Sequence, residues 1–129
     1  METQTQNLDE TLDRDRPATK REQRAASIEA LLGKALTLFI TQGYHATTVE
    51  VIAQAAGLTK GAVYFYFKSK ANVLKTLLDR TEELTVEPTL AAMKAAGDDP
   101  KDRLNAFVRS QSVIGAEKTE YMLLAILMS

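Results

Sequence analysis

The residues of this chain whose types and spacing point to a chemical task lie between Thr47 and Lys70. No acidic residue occurs between Glu50 and Asp79, whereas four lysines do: Lys60, Lys68, Lys70 and Lys75. A run of aromatic residues separates the first two of these lysines. The whole chain has 129 residues and a formal net charge of -1, so a locally basic, aromatic segment favours docking on a nucleic-acid backbone.

Other kinds of chemistry have little support in the sequence. The chain has no cysteine, which excludes disulfides and thiolate zinc sites. His45 is the only histidine and has no carboxylate cluster nearby. The acidic pairs Glu82-Glu83 and Asp98-Asp99 are adjacent in sequence, so the two members of a pair do not share a helix face. We therefore expect no enzyme activity, no metal site and no cofactor.

The segment from residue 47 to residue 57 has the pattern of a short helix that ends at a glycine. Thr47 followed three residues later by Glu50 has the spacing of a capping box, so the helix is predicted to start at Thr47 or Thr48. Gly57 stands where a helix end favours a left-handed residue. One apolar stripe runs along the predicted helix through Val49, Ile52, Ala53 and Ala56.

A second short helix is predicted from Lys60 to about Phe67, with Thr59 as its N-cap. The two helices and the tight turn between them have the pattern of a helix-turn-helix, whose second helix enters a major groove with its N-terminus leading. Gly61 has no side chain and would let the helix backbone approach a base pair. Lys60 is placed to reach a phosphate or a guanine edge.

These segments resemble the DNA-binding domain of the TetR-family transcriptional regulators. The resemblance covers about Ala25 to Leu78. It rests on contiguous, correctly spaced motifs: Thr47-Thr48-Val49, Ile52-Ala53, Ala56-Gly57-Leu58-Thr59-Lys60-Gly61 and Tyr64-Phe65-Tyr66-Phe67-Lys68-Ser69-Lys70. The aromatic run departs from the common Tyr-Tyr-His-Phe of the family, because Phe65 has no hydroxyl and Tyr66 replaces the histidine.

The resemblance implies a DNA-binding role for particular residues. A threonine at the start of the helix that precedes the glycine turn would bind phosphate, which points to Thr47 or Thr48. The residues that would read the major groove are Thr59, Lys60, Gly61, Ala62 and Tyr64. The residues that would clamp phosphates are Tyr64, Tyr66 and Lys70.

The elements that must position these residues are all predicted to be helices. Residues 1–19 are polar and are expected to form a disordered arm, whose arginines could reach phosphates or a minor groove. A first helix is predicted from about Lys20 or Arg24 to Gln42, and residues 20–68 would form the helix-turn-helix domain. Ser69 is a good N-cap for a fourth, long helix, and Pro88 is expected to kink or break it.

Residues 69–129 are predicted to form a partial helical effector and dimerisation domain. Pro100, preceded by an acidic residue, marks one helix start. A last helix from Glu117 to Ser129 is apolar on most sides, with nothing after it to cover it, so we expect the sequence to be a fragment of a longer chain. Phe107, Gln111 and Tyr121 are the candidate effector-binding residues.

The predicted fold is all-α, a three-helix DNA-binding head followed by a long helix and further helices. The predicted function is a cytoplasmic, sequence-specific transcriptional regulator, most simply a repressor released by a small-molecule effector. The partners implied by the resemblance are double-stranded DNA with a palindromic operator and a second copy of the full-length chain, without a membrane. The alternative is a helical protein-interaction module that no longer binds DNA, since the last helix is uncovered.

Overall fold

The computed structural model describes residues 17–129, and within this range the chain is helical with no strands, which confirms the all-α prediction. The predicted arm falls almost entirely on residues 1–16, outside the described residues. The helices are α1 (Lys20–Thr41), α2 (Val49–Ala56), α3 (Lys60–Phe67), α4 (Lys70–Thr81), a π-helical segment (Glu82–Val86), α5 (Glu87–Ala95), α6 (Pro100–Glu117) and α7 (Thr119–Met128).

Helix α1 starts at a capping box. The Thr19 hydroxyl accepts from the Glu22 amide, and the Glu22 carboxylate accepts from the Thr19 amide. This reciprocal arrangement satisfies two backbone donors that would otherwise lack a partner at a helix start. The buried face of α1 supplies much of the head's core through Leu31, Leu32, Ala35, Leu36 and Phe39.

The turn between α2 and α3 has the predicted geometry. Gly57 has a φ of 69°, the left-handed conformation that glycine adopts without strain. The Leu58 amide then donates to the Ala53 carbonyl, which closes the end of α2. Buried side chains of α2 and α3 meet α1 in one core cluster: Val49, Ile52, Ala53 and Val63.

The structure decides between the two predicted starts of α2. Thr48, not Thr47, is the N-cap, and its hydroxyl accepts from the Val51 amide. Thr47 is fully buried, and its hydroxyl donates to the Gly43 and Leu38 carbonyls at 2.7 and 3.3 Å. The capping-box assignment to Thr47 is therefore wrong, because two adjacent threonines have the same local capping chemistry and tertiary packing decides between them.

Of the kink or break predicted at Pro88, the break does not occur. Helical backbone continues from α4 into α5 through the π-helical segment. Pro88 lies in the first turn of α5, where the missing amide costs no hydrogen bond of that helix. The wider turn before it therefore accommodates the proline. Buried threonines line this helix, each donating to the carbonyl four residues earlier: Thr81, Thr85 and Thr89.

Helix α6 starts at the predicted Asp99 cap and continues past Gly115 to Glu117. Helix α7 then returns to the head. Leu124, in α7, belongs to the same core cluster as Val73 and Leu77 of α4. The division of the chain at residue 68 stays a prediction, and the core cluster is continuous across it.

Candidate DNA-binding surface

One face of α3 is exposed along the whole helix and into the residue that ends it. We call this the α3 face: Lys60, Gly61, Tyr64, Phe65 and Lys68. These positions follow the i, i+1, i+4 and i+5 spacing of one helix face. Val63, on the opposite side, is buried against α1 and α2. The buried side fixes α3 on the head, and the exposed side is left with cationic, aromatic and glycine residues.

Lys60 begins α3 and makes two contacts within the chain. Its Nζ lies 2.5 Å from Glu50 Oε1 in the first turn of α2. The same ammonium group lies 5.7 Å from the centre of the Tyr64 ring. The hydrogen bond to Glu50 raises the pKa of Lys60 and, reciprocally, lowers the pKa of Glu50. Both groups are therefore charged at neutral pH.

Thr48 and Thr59 are both exposed, and each caps a helix. The Thr59 hydroxyl accepts from the Ala62 amide at 3.1 Å, and the Thr48 hydroxyl accepts from the Val51 amide at 3.2 Å. A hydroxyl that accepts one hydrogen bond keeps its proton to donate. The Thr59 side chain can therefore still donate to a phosphate while capping its helix, whereas the Thr48 hydroxyl also interacts with the Glu50 carboxylate.

Three other predicted DNA contacts are buried or half-buried: Thr47, Ala62 and Tyr66. Thr47, as described, is buried and is not placed to contact a phosphate, which leaves Thr48 as the exposed member of the pair. Ala62 and Tyr66 are half-buried, and Tyr66 packs against the head's core. The structure thus brings together Thr48, Thr59, Lys60, Gly61 and Tyr64.

Lys70 points back into the head. Its Nζ donates to the Tyr44 carbonyl at 2.8 Å and lies 4.1 Å from the centre of the Tyr44 ring. The side chain is half-buried. Lys70 therefore ties the start of α4 to the loop between α1 and α2, a contact that no local sequence pattern reveals.

Two exposed residues were not among the predicted contacts. Phe65 is 65% exposed and lies 5.9 Å, ring centre to Nζ, from Lys68. Glu50 was interpreted only as part of a helix cap. The available signal was its position as the sole acidic residue between Thr47 and Leu78.

A cavity of about 530 Å³ lies between α5, α6 and α7. Its lining includes the predicted residues Phe107 and Gln111. Gln111 Nε2 donates to the Thr89 hydroxyl at 3.2 Å, so the mostly apolar lining of the cavity contains this hydrogen-bonded polar pair. Tyr121 does not line the cavity and instead packs against the head's core. The other residues that line the cavity are Thr85, Val86, Thr89, Leu90, Met93, Met122, Ala125, Ile126 and Ser129.

Helix α7 links this cavity to the head. Met122 and Ile126 face the cavity, whereas Leu124 is buried in the head's core. Glu120 accepts from the Thr37 hydroxyl of α1 at 2.9 Å. One short helix therefore contacts both regions.

The part of the chain described by the structure has no group of histidine, cysteine or carboxylate side chains suited to a metal ion. No helix of residues 17–129 is long and apolar enough to cross a membrane.

The three-helix head with its exposed α3 defines a helix-turn-helix protein. Residues 31–77 match the family model of the tetR family of bacterial regulatory proteins. The head is therefore similar to the domain that this family model describes.

Similar proteins have the same head. The HTH-type transcriptional regulator AcrR of Shigella flexneri is 34% identical over 84 residues, which are 64% of this chain and 39% of the relative. TtgR of Pseudomonas putida is 42% identical over 62 residues, 48% of this chain and 28% of the relative. The crystal structure of the MbdR regulator from Azoarcus sp. CIB is 42% identical with a TM-score of 0.71, covering 78% of this chain and 52% of that one. The chain thus spans about half, or less, of the length of these relatives.

Proposed function

We propose that this protein is a sequence-specific DNA-binding transcriptional regulator that inserts α3 into a major groove. The observation that carries the proposal is the α3 face, which is exposed along its length and contains no carboxylate. Lys60 and Lys68 supply positive charge, and Gly61 leaves the helix backbone uncovered near its N-terminus. Exposed aromatic and cationic groups on one helix suit a groove lined by phosphates and base edges.

The experiment is fluorescence anisotropy of the full chain against DNA from upstream of its own gene, with a scrambled duplex as control. We expect Lys60→Ala and Tyr64→Ala each to weaken binding at least tenfold without loss of helicity. Lys75→Ala is the matched control, because Lys75 is an exposed lysine on α4, ion-paired with Asp79 and away from the α3 face. Equal losses for all three variants, or binding of the scrambled duplex with the same affinity, would contradict the proposal.

The cavity supports a regulatory role for a small, mainly apolar ligand with one polar group. Its wall is largely apolar, and Gln111, one of its polar residues together with Thr85, Thr89 and Ser129, has the side-chain amide that could orient such a ligand. An effector bound in the cavity would change the packing of α7 against the head. The simplest mechanism is therefore a repressor that the effector releases from DNA. Gln111→Leu should abolish the ligand's effect on DNA binding while leaving binding without ligand unchanged.

A palindromic operator and a homodimer complete this proposal, since paired heads bind half-sites about one helical turn apart. Such a regulator acts where the DNA lies, in the cytoplasm of a bacterium. Light scattering on the complex with a palindromic duplex tests the stoichiometry. One chain per duplex would contradict the dimer.

The alternative is a helical interaction module, which the exposed apolar residues of α6 and α7 favour: Leu104, Val108, Val113, Ile126 and Leu127. Salt titration separates the two functions, because phosphate contacts make affinity fall steeply with salt concentration. No DNA binding at low salt by a helical chain would favour the module.

A further inference from the structure

Glu50 and Lys60 form an ion pair at the end of the α3 face that leads into the groove. Glu50 lies in the first turn of α2, and Lys60 is the first residue of α3. Both side chains are more than half exposed, so the pair is not needed to neutralise a buried charge. Its charges remain available to a molecule that approaches this surface.

A carboxylate at this position is unfavourable for simple phosphate binding. It repels the DNA backbone and offsets the charge of Lys60, the lysine best placed to meet the duplex. If only phosphate contacts mattered, a neutral residue at position 50 would give tighter binding. The pair becomes favourable where the DNA offers hydrogen-bond acceptors to the ammonium and a donor to the carboxylate side by side.

We propose that Glu50 and Lys60 together read one G·C base pair in the major groove. Lys60 donates to guanine O6 and N7, and Glu50 accepts from the amino group of cytosine N4. O6 and N4 are hydrogen-bonded to each other within the pair, so they lie about 3 Å apart. This spacing is similar to the 2.5 Å between the ammonium nitrogen and the carboxylate oxygen.

An A·T pair fits these two groups less well. Its purine offers the acceptor N7 next to the donor N6, and the thymine acceptor O4 lies beside a methyl group. If Glu50 takes the N6 donor, the Lys60 ammonium keeps only N7 and loses the second acceptor that guanine provides. Glu50 is thus a specificity-determining residue that disfavours bare phosphate and favours one base pair. This inference rests on the proposed function, since it requires α3 in a major groove.

The experiment is selection of bound duplexes from a randomised library by the full chain and by three variants, Glu50→Ala, Glu50→Gln and Asp79→Asn. Asp79 forms the exposed ion pair with Lys75 at 3.1 Å, so its variant removes an equivalent surface carboxylate away from α3. We expect the wild type and Asp79→Asn to select the same half-site, with one position fixed as G·C. In Glu50→Ala, which has no acceptor for cytosine N4, the preference at that position should fall roughly five- to hundredfold, with other positions unchanged. The loss should be smaller in Glu50→Gln, because its amide oxygen still accepts from N4, but more weakly than a carboxylate.

Base analogues in the selected site test the atoms involved. Inosine keeps O6 and N7 and should bind the wild type as guanine does, whereas 7-deazaguanine lacks N7 and should bind more weakly. Affinity of Glu50→Gln for a scrambled duplex should rise, because a negative charge has been removed. Circular dichroism and the melting temperature verify that both variants at position 50 are folded.

Two failures are distinguishable. If the wild type selects a site and Glu50→Ala selects the same bases at every position, the inference about Glu50 is wrong and the proposed function stands. A uniform loss of affinity for all sequences in Glu50→Gln also contradicts the inference. If the wild type enriches no sequence at all, the proposed function itself is contradicted.

Discussion

At the scale of single residues, the fold itself does not require a glycine at position 61. Its φ is not in the left-handed region, and a Cβ built there comes no closer than 3.9 Å to its nearest neighbour, the Thr59 hydroxyl oxygen. The fold therefore accepts alanine, and glycine in a helix costs about 0.5–1 kcal/mol relative to alanine. A destabilising glycine on an exposed helix face is consistent with the proposed close approach of α3 to DNA.

Gly61→Ala should accordingly raise the free energy of unfolding by about 0.5–1 kcal/mol and weaken DNA binding, because the added methyl group separates α3 from the base pairs. Gly33→Ala is the matched control, since Gly33 lies in the interior of α1 with nothing within 4 Å of its Cβ position. It should give the same stabilisation with unchanged binding. Denaturant unfolding and anisotropy measure both effects. Equal DNA affinity for the two variants would exclude close approach at Gly61.

At the scale of elements, the attachment of α4 to the head depends on Lys70. Removing its ammonium group breaks the hydrogen bond to the Tyr44 carbonyl and the contact with the Tyr44 ring. Lys70→Met should therefore lower the free energy of unfolding by about 1–3 kcal/mol. Lys68→Met, the control, changes an exposed lysine and should cost under about 0.5 kcal/mol.

The same two variants also test whether Lys70 contacts phosphate. A lysine held inside the head releases no counterion from DNA, so the salt dependence of DNA binding should be unchanged in Lys70→Met. If the slope of log affinity against log salt concentration fell by about one in Lys70→Met, with little loss of stability, Lys70 would be a phosphate contact as predicted from the sequence.

Helix α4 is also joined to α1 by Arg80, whose guanidinium donates to both carboxylate oxygens of Glu29 at 2.9 and 2.5 Å. Hydrogen bonding by Arg80 lowers the pKa of Glu29 below its ordinary 4.5. A lowered pKa means that the pair stabilises the fold above pH 4.5 and loses its effect as pH falls through the folded-state pKa. The stability difference between wild type and Glu29→Gln should therefore be constant near pH 7 and vanish in acid. A stability difference between wild type and Glu29→Gln that grows in acid would contradict the lowered pKa of Glu29.

The sequence predicted these elements better than their contacts. Helical periodicity, the glycine turn and the caps at Thr59, Ser69 and Asp99 are local features, and all lie where they were predicted. The misplaced features depend on packing between distant segments. Lys70 turns inward because its ammonium group donates a hydrogen bond to a carbonyl 26 residues away in the sequence. Pro88 is accommodated by a π-helical turn, which the residue types in that segment do not predict.

The candidate sites divide in the same way. The α3 face follows from the spacing of residues within one helix, so its exposed members could be read from the sequence. Thr47 could not be distinguished from Thr48, because only the Gly43 and Leu38 carbonyls decide which threonine is buried. Tyr121 was assigned to the cavity since α7 is apolar on most sides, and only the contact with the head shows which side faces α1 and α4.

At the scale of the whole molecule, the head and the C-terminal helices share one core. Leu124 of α7 is 1% exposed, whereas Leu127 on the same helix is 60% exposed. Because Leu124 packs with residues of α1 and α4, the stability of the DNA-binding head depends on a helix that also lines the cavity. Anything that moves α7 at the cavity thus changes the packing of the head.

Leu124→Ala should lower the free energy of unfolding by about 2–5 kcal/mol, the cost of a cavity in a packed core. Leu127→Ala removes the same atoms from an exposed site and should change it by under about 0.5 kcal/mol. The informative measurement is native-state hydrogen exchange of α1 and α4. In Leu124→Ala their protection should fall together with that of α7, because the three helices share a core. If only α7 loses protection, the head is stable by itself, and occupancy of the cavity has no route through α7 to the α3 face.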